Sequence, residues 1–386
     1  MRIAVHGAGG FTGRLTVAEV RRRGFTPVLV GRNEERLRRS AAAAGAWDAE
    51  VRVAGLAEGE ALAAAFADCA AVINCAGPFT VLGEPVVRAA LAARTHYLDT
   101  AGEEGFIREV LDGFHEEAVR AGVAVVPAMT DDGAPGDLIA RLVAERVSAA
   151  GPVPEVAEIL VADLRGRGVA SRGTARSMVA VSERAASERV VPERVVPERV
   201  VPERVVPERV VPERVVPERE VLGKDVPGPE VSRRGVVDGG GPSVVDTEEG
   251  PVDVEAFALP GAVTVPRHVR VRRVRTVIRA EVAALFAALT PDVVDSVPEI
   301  PDEAARAASR WLMLAEATGT GGGRARGWVT GSDAYGMTAV IAVEGARRLA
   351  EDGAPAGTLA PAQAFDPAGF LDHLTTHGVT WQVTPA

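Results

Sequence analysis

Cysteine is nearly absent from this sequence. Cys69 and Cys75 are the only two in 386 residues. They stand too close for a domain-spanning staple, show no metal-ligand spacing and make no disulfide framework. Their scarcity favours a reducing compartment, and no metal site is expected. Long apolar runs are missing as well. None reaches the roughly 18 residues that a membrane-spanning helix needs. No charged-then-apolar leader is present: MRIAVHGAGG runs straight into fold-like sequence, and the expectation is a cytoplasmic protein. An excess of positive charge is also lacking. Lys and Arg total 43 against 53 Asp and Glu, a formal net charge of −10. A surface of that sign does not neutralise a nucleic-acid backbone. The local exception is RHVRVRRVRTVIR, residues 267–279. It reads as a strand with one solvated basic face, with Val269, Val271, Val274 and Val277 packing.

What is present is rhythm. Over the first 130 or so residues, short β-type runs (RIAVHG, TPVLVGR, AEVRVAG, AAVINCAGP, HYLDT, VAVVPAM) alternate with amphipathic segments. Alternation of this kind predicts a parallel sheet covered on both faces, and a Rossmann-type doubly wound α/β fold leads among the topologies. The predicted dinucleotide-binding domain is 1–136. From 137 a mixed α/β domain is expected to run to 330, and 331–386 to pack back on the first domain. Within the second domain the reading gives helices near 281–289 and 302–317, and a strand, turn and long helix over 324–353. It is interrupted by ERVVP repeated from 188 to 217. A proline every fifth residue forbids a continuous helix. The insertion, 188–219, reads as an extended, polyproline-like excursion, and 220–251 as irregular chain rich in Gly and Pro.

The densest signal is VHGAGGFTGR, residues 5–14. A strand ends at Gly7 and a helix begins near Phe11 and Thr12. A strand, a glycine turn and a helix N-terminus make an anion site. Gly7 permits the turn, Gly9 and Gly10 let backbone approach a pyrophosphate, and Gly13 lets helix and sheet approach. The second strand then ends in VLVGRN, with no acid before Glu34. Arg32 can stack on adenine and pair with a 2′-phosphate, so the predicted cofactor is NADP (NADPH) rather than NAD. Asn33 is placed to cap the following helix. INCAGP puts Asn74, Ala76, Gly77 and Pro78 at the sheet's carboxyl edge, and Asp99 and Thr100 end the fifth strand beside them.

Taken together, GAGGFTGRL, GRN, INCAGPFTVLGEPVVRAAL and THYLDTAGE, followed by DDGAPGDL, SRGTARS and GSDAYGMTA, resemble the saccharopine dehydrogenase-like reductases. Within that family the chain is similar to the trans-acting enoyl reductases of polyketide and lipid assembly. The resemblance implies an NADPH-dependent reductase with a small-molecule or carrier-bound acyl substrate and a second domain of the kind that often forms homodimers. The chain departs from the family pattern at MTDDGAPGDL, where relatives often read Gly-Phe-Asp, and at Arg172, where glycine is usual. Substrate identity is therefore not carried over.

For a proton donor the reading picks Tyr335, a phenol in SDAYGM, and Asp132, which follows the sixth strand beside Asp131. Arg172 and Thr174 are candidates to hold a carboxylate or carbonyl. Enoyl C=C reduction leads. Imine reduction on an amino-acid-derived substrate, and a non-catalytic NADP-binding scaffold, are the alternatives.

Overall fold

The computed structural model describes residues 1–150, 155–166, 168, 170–190, 243–247 and 250–385. Beyond its first residues, the ERVVP repeat lies outside them. The strands are β1 (Arg2–His6), β2 (Thr26–Gly31), β3 (Glu50–Val53), β4 (Ala71–Asn74), β5 (His96–Asp99), β6 (Ala124–Val126), β7 (Val156–Asp163), β8 (Ser243–Thr247), β9 (Gly250–Ala256), β10 (Val271–Arg279), β11 (Arg310–Gly319), β12 (Arg324–Ser332), β13 (Gly357–Thr358) and β14 (Thr380–Pro385).

The first sheet has the order β13-β6-β5-β4-β1-β2-β3, and every pairing in it is parallel. Its central strands are apolar on both faces. Ile3, Val5 and Leu29 join one core, while Ala4, Val28 and Val30 join the other across the sheet. That double burial explains why these strands read as continuous apolar runs rather than as alternation. The strand order reverses between β1 and β4, so a crevice opens where the loops after them diverge. The seventh strand, β13, comes from the far end of the chain.

The second sheet has the order β14-β12-β11-β7-β10-β9-β8, and only β7 and β10 run parallel. The helix Ala134–Ala150 packs on β7, β11 and β12. Here two sequence expectations are corrected. The helix expected over 302–317 exists only as Glu303–Ala308, and Arg310 onward is β11, which pairs with β7 on one side and β12 on the other. WLMLAEA has helix-compatible apolar spacing, but Trp311, Met313, Ala315 and Ala317 also alternate, and two long-range ladders decide the matter. The second correction concerns β10. Val274 packs against the main core and Val277 into a separate cluster with Ala162, Val254 and Leu314, so they do not share a face. The basic residues of β10 serve the fold: Arg272 pairs with Glu155 at 2.8 Å, Arg275 with Glu158 at 3.6 Å, and Arg279 donates to the Leu164 carbonyl.

The two sheets are tied by the helix Ala334–Glu351, which packs on the helix Phe11–Arg22 and on β4 and β5. Its Glu344 is 1% exposed. Burial alone would raise this carboxyl, but hydrogen bonds from Arg347, Arg348 and Arg23 win and hold it down at about 2. Among the described residues, no helix is long and apolar enough to cross a membrane.

Candidate cofactor and active site

The glycine loop is built from backbone. Gly7 has φ +76, a left-handed conformation that L side chains disfavour, and a Cβ there would lie 2.9 Å from the Cβ of Ala76. The Gly7 amide donates to the Val30 carbonyl and the Gly10 amide to the Gly7 carbonyl. A Cβ on Gly13 would stand 2.3 Å from that same Gly7 oxygen, so only glycine lets the helix Phe11–Arg22 seat here. Its N-cap is Gly10, and no side chain among the described residues caps it. The first-turn amides at Phe11 and Thr12 therefore sit at an uncapped positive helix end beside the crevice. Arg32 follows β2, is exposed and has no side-chain partner among the described residues. Asn33 caps the next helix: its Oδ1 accepts from the Arg36 amide at 2.9 Å. A bare cradle, an uncapped helix end and a free guanidinium at the end of β2 fit a dinucleotide that carries a 2′-phosphate.

The β4 and β5 ends are more internally committed than sequence reading suggests. Asn74 is fully buried. Its Oδ1 accepts from His6 Nδ1 at 2.9 Å and from the Ala76 amide at 3.1 Å, and its Nδ2 donates to the Tyr97 hydroxyl at 3.1 Å. Asn74 thus fixes the turn that carries Ala76, Gly77 and Pro78 past Gly7. Asp99 is also fully buried, and its Oδ1 accepts from the amides of Ala101 and Ala128. Its Oδ2 has no hydrogen-bond partner among the described residues, and burial pushes the carboxyl up to about 7. Thr100, not Asp99, reaches the adjoining cavity.

That cavity, of about 600 Å³, runs from the switch point into the second domain. Thr12, Cys75, Gly77 and Thr100 line its inner end, with Asp131, Asp132 and Arg165 next to them. Arg165 follows β7. Its Nε bonds Asp163 at 2.5 Å and its Nη1 pairs with Asp131 at 2.9 Å. Asp131 in turn accepts from the Thr338 hydroxyl at 2.8 Å. Burial raises the carboxyls of Asp131, Asp132 and Asp163, with Arg165 opposing. Three carboxyls share one guanidinium, and like charges this close do not all ionise. Asp132 makes no ion pair among the described residues, and burial raises its carboxyl against the opposing charge of Arg165. The farther wall is apolar, formed by Met178, Leu285, Phe286, Leu289, Val293 and Val297.

Tyr335 lines the same cavity. Its ring meets Phe11 edge-on at 5.2 Å, and its hydroxyl accepts from the Ser171 amide at 2.7 Å and shares a hydrogen bond with Thr174 Oγ1 at 2.8 Å. Thr174 is on the wall. Arg172 is not: its Nε donates to the Val297 carbonyl at 2.8 Å and its amide to the Pro298 carbonyl at 2.9 Å. Residues that sequence reading missed are Arg165, Asp163, Thr338 and Glu103. Glu103 caps the helix Phe79–Ala92 by accepting from the Phe79 and Thr80 amides at 2.7 and 2.6 Å. A charged pair at the very end of VAEILVAD was a usable signal for Arg165. Glu103 lies 24 residues from the helix it caps and gave none.

Residues 3–126 match the family described as "Saccharopine dehydrogenase NADP binding domain". A trans-acting enoyl reductase of Mycobacterium tuberculosis (strain ATCC 25618 / H37Rv) is 35% identical over 140 residues, 35% of this chain and 34% of the relative. One from Mycobacterium leprae (strain TN) is 34% identical over 140 residues, again 35% of this chain and 34% of the relative. The chain thus aligns with about a third of the length of these relatives. Across the whole chain the fold is similar to apo saccharopine dehydrogenase (L-Glu forming) from Saccharomyces cerevisiae, with a TM-score of 0.58 at 12% identity, covering 100% of this chain and 99% of that one. Residues 3–126 are a saccharopine dehydrogenase-type NADP-binding domain, carried on a chain with the saccharopine dehydrogenase fold.

Proposed function

We propose that this chain is an NADPH-dependent oxidoreductase that reduces an activated double bond, an enoyl C=C conjugated to a carbonyl, on an acyl substrate of lipid, polyketide or secondary-metabolite type. The observation that carries the reading is the polarity of the cavity. Its inner end, against the switch point, holds buried carboxyls that burial pushes toward the neutral form, and its farther wall is lined mainly by apolar side chains. An acyl chain fits the wall while its conjugated carbonyl lies at the polar end. The enoyl reductase relatives agree with this choice.

When bound, NADPH supplies a hydride to the substrate. The chain supplies the rest. The glycine loop and Arg32 hold the phosphates. Asp132 donates its proton toward the carbonyl oxygen as electrons move onto it, and burial together with the neighbouring Asp163 carboxylate favours its protonated form against the pull of Arg165. Tyr335 clamps the Ser171–Thr174 turn against Phe11 and so closes the side of the cavity next to the glycine loop.

Imine reduction is the second reading, and the net negative polar end speaks for it, since an iminium is a cation. An amino-acid-derived imine also needs a cation for its carboxylate. Arg172 is committed to Val297, and Arg165 lies between two aspartates. NADPH oxidation measured with 2-enoyl thioesters of increasing length separates the two. Each buried methylene contributes about 0.8 kcal/mol, so kcat/KM should climb about fourfold per methylene until the wall is filled. A flat profile, or turnover only with imines, would sink the enoyl reading.

A further inference from the structure

The first turn of the helix Glu34–Ala43 carries a second arginine, and it is already occupied. Arg36 Nη2 forms an ion pair with Glu299 and lies 3.5 Å from the Gly9 carbonyl. A Cβ on Gly9 would stand 3.2 Å from Arg36 Cβ. Arg36 therefore sits in the corner between the glycine loop and the end of β2. In a dinucleotide fold that corner takes the adenosine ribose, and its 2′ substituent distinguishes NADP from NAD. Glu299 comes from the second domain, in the segment between the helices Pro291–Ser296 and Glu303–Ala308. No other side-chain partner of Glu299 exists among the described residues.

We propose that Glu299 is a built-in competitor for the cofactor's 2′-phosphate: it holds Arg36 in the nucleotide-free chain and gives it up when NADPH binds. The inference rests on the NADP reading of the site. A carboxylate and a phosphate offer a guanidinium the same fork of acceptor oxygens, and the phosphate carries more charge. With both side chains about half exposed, at 47% and 52%, the pair is weak enough to exchange. NADH brings a 2′-hydroxyl, which can donate to Glu299 and has no need to displace it. Glu299 thus sets how strongly the chain prefers one cofactor over the other. The exchange also reaches the substrate cavity. Val297 lines that cavity, and the carbonyls of Val297 and Pro298 are held by Arg172 at the start of the helix that carries Thr174 and Met178. The segment therefore has one tie to the nucleotide corner and another to the cavity wall.

The test is a set of binding titrations of the full chain with NADPH, NADH, adenosine 2′,5′-bisphosphate and 5′-AMP. Glu299→Gln should tighten NADPH and the bisphosphate about two- to fivefold, the range of an exposed ion pair, and leave NADH and 5′-AMP unchanged. Arg36→Gln should weaken NADPH and erase the Glu299→Gln gain in the double variant. High salt should shrink the gain. Unchanged NADPH affinity in Glu299→Gln, an equal gain for NADH, or a gain that persists beside Arg36→Gln would each overturn the proposal. Wild-type chain that binds neither NADPH nor the bisphosphate would instead overturn the cofactor reading itself.

Discussion

The two sides of the cavity's inner end are made by opposite means. On the switch-point side, the glycine loop works by leaving side chains out: backbone amides, a helix end and close contact between Gly7, Gly13 and Ala76. On the other side, the Asp131–Asp132–Asp163–Arg165 cluster concentrates ionisable groups from two domains into one buried patch. The first design tolerates many neighbours, because its dipoles are fixed by the fold. The second depends on a charge balance that one substitution destroys.

The largest effect should come from that second side. Arg165→Met leaves Asp163 and Asp131 buried without a counter-ion, a loss of about 3–5 kcal/mol by analogy with other broken buried pairs. The cluster's carboxyls are raised in the folded chain, so they contribute stability in acid and lose it as pH rises through their folded values. Removing Arg165 raises them further. The deficit should therefore be greatest at neutral pH and above, and should shrink as pH falls. Urea unfolding of wild type and variant across pH measures it. A deficit independent of pH would mean that the cluster does not set the charge balance.

The same contrast explains what was legible in the sequence. The strand–glycine–helix pattern is local, and Gly7, Gly10 and Gly13 each meet a constraint set by residues within a few positions or by Ala76 in the turn after β4. The parallel first sheet was legible for a similar reason, since each βα unit is contiguous. The Arg165–Asp131 pair was not, because Asp131 lies more than 30 residues upstream in another domain, although Arg165's other partner, Asp163, is two residues away. Nor was β11, whose two ladders come from β7 and β12. Nor was β13, a two-residue strand more than 200 residues from its partner β6. Asn74 and Asp99 were placed correctly at strand ends, yet their side chains turn inward to hold backbone amides of neighbouring turns.

On the switch-point side the corresponding break is Gly13→Ala. Its Cβ would overlap the Gly7 oxygen, so helix and loop must part, at about 1–3 kcal/mol of overpacking strain. Nucleotide affinity should fall by more than tenfold, because the amides that face the phosphates move with the loop. Gly105→Ala, in the helix Glu104–Gly113, has no atom within 4 Å of the new Cβ. It should leave binding unchanged and raise stability by roughly 0.5–1 kcal/mol. If NADPH binding survives Gly13→Ala intact, close helix approach is not what makes the cradle.

The last pair of predictions joins the two sides. Tyr335 stands between them, its ring on Phe11 of the loop and its hydroxyl on Ser171 and Thr174 of the second domain. Tyr335→Phe keeps the ring and removes the hydroxyl. The Ser171 amide then loses its acceptor, for about 1–3 kcal/mol at most if it stays buried and less if water reaches it. In this arrangement the hydroxyl is an anchor, with its acceptor capacity spent on Ser171 and its proton shared with Thr174. Turnover in Tyr335→Phe should therefore fall mainly through a raised KM, as the wall loosens, with kcat kept within about tenfold. Asp132→Asn should do the reverse: kcat falls by the roughly 10²–10⁴ of a lost general acid, and KM moves little. A Tyr335→Phe variant with normal KM and collapsed kcat would exchange the two roles, making the phenol the donor and the carboxyl cluster a structural tie between domains.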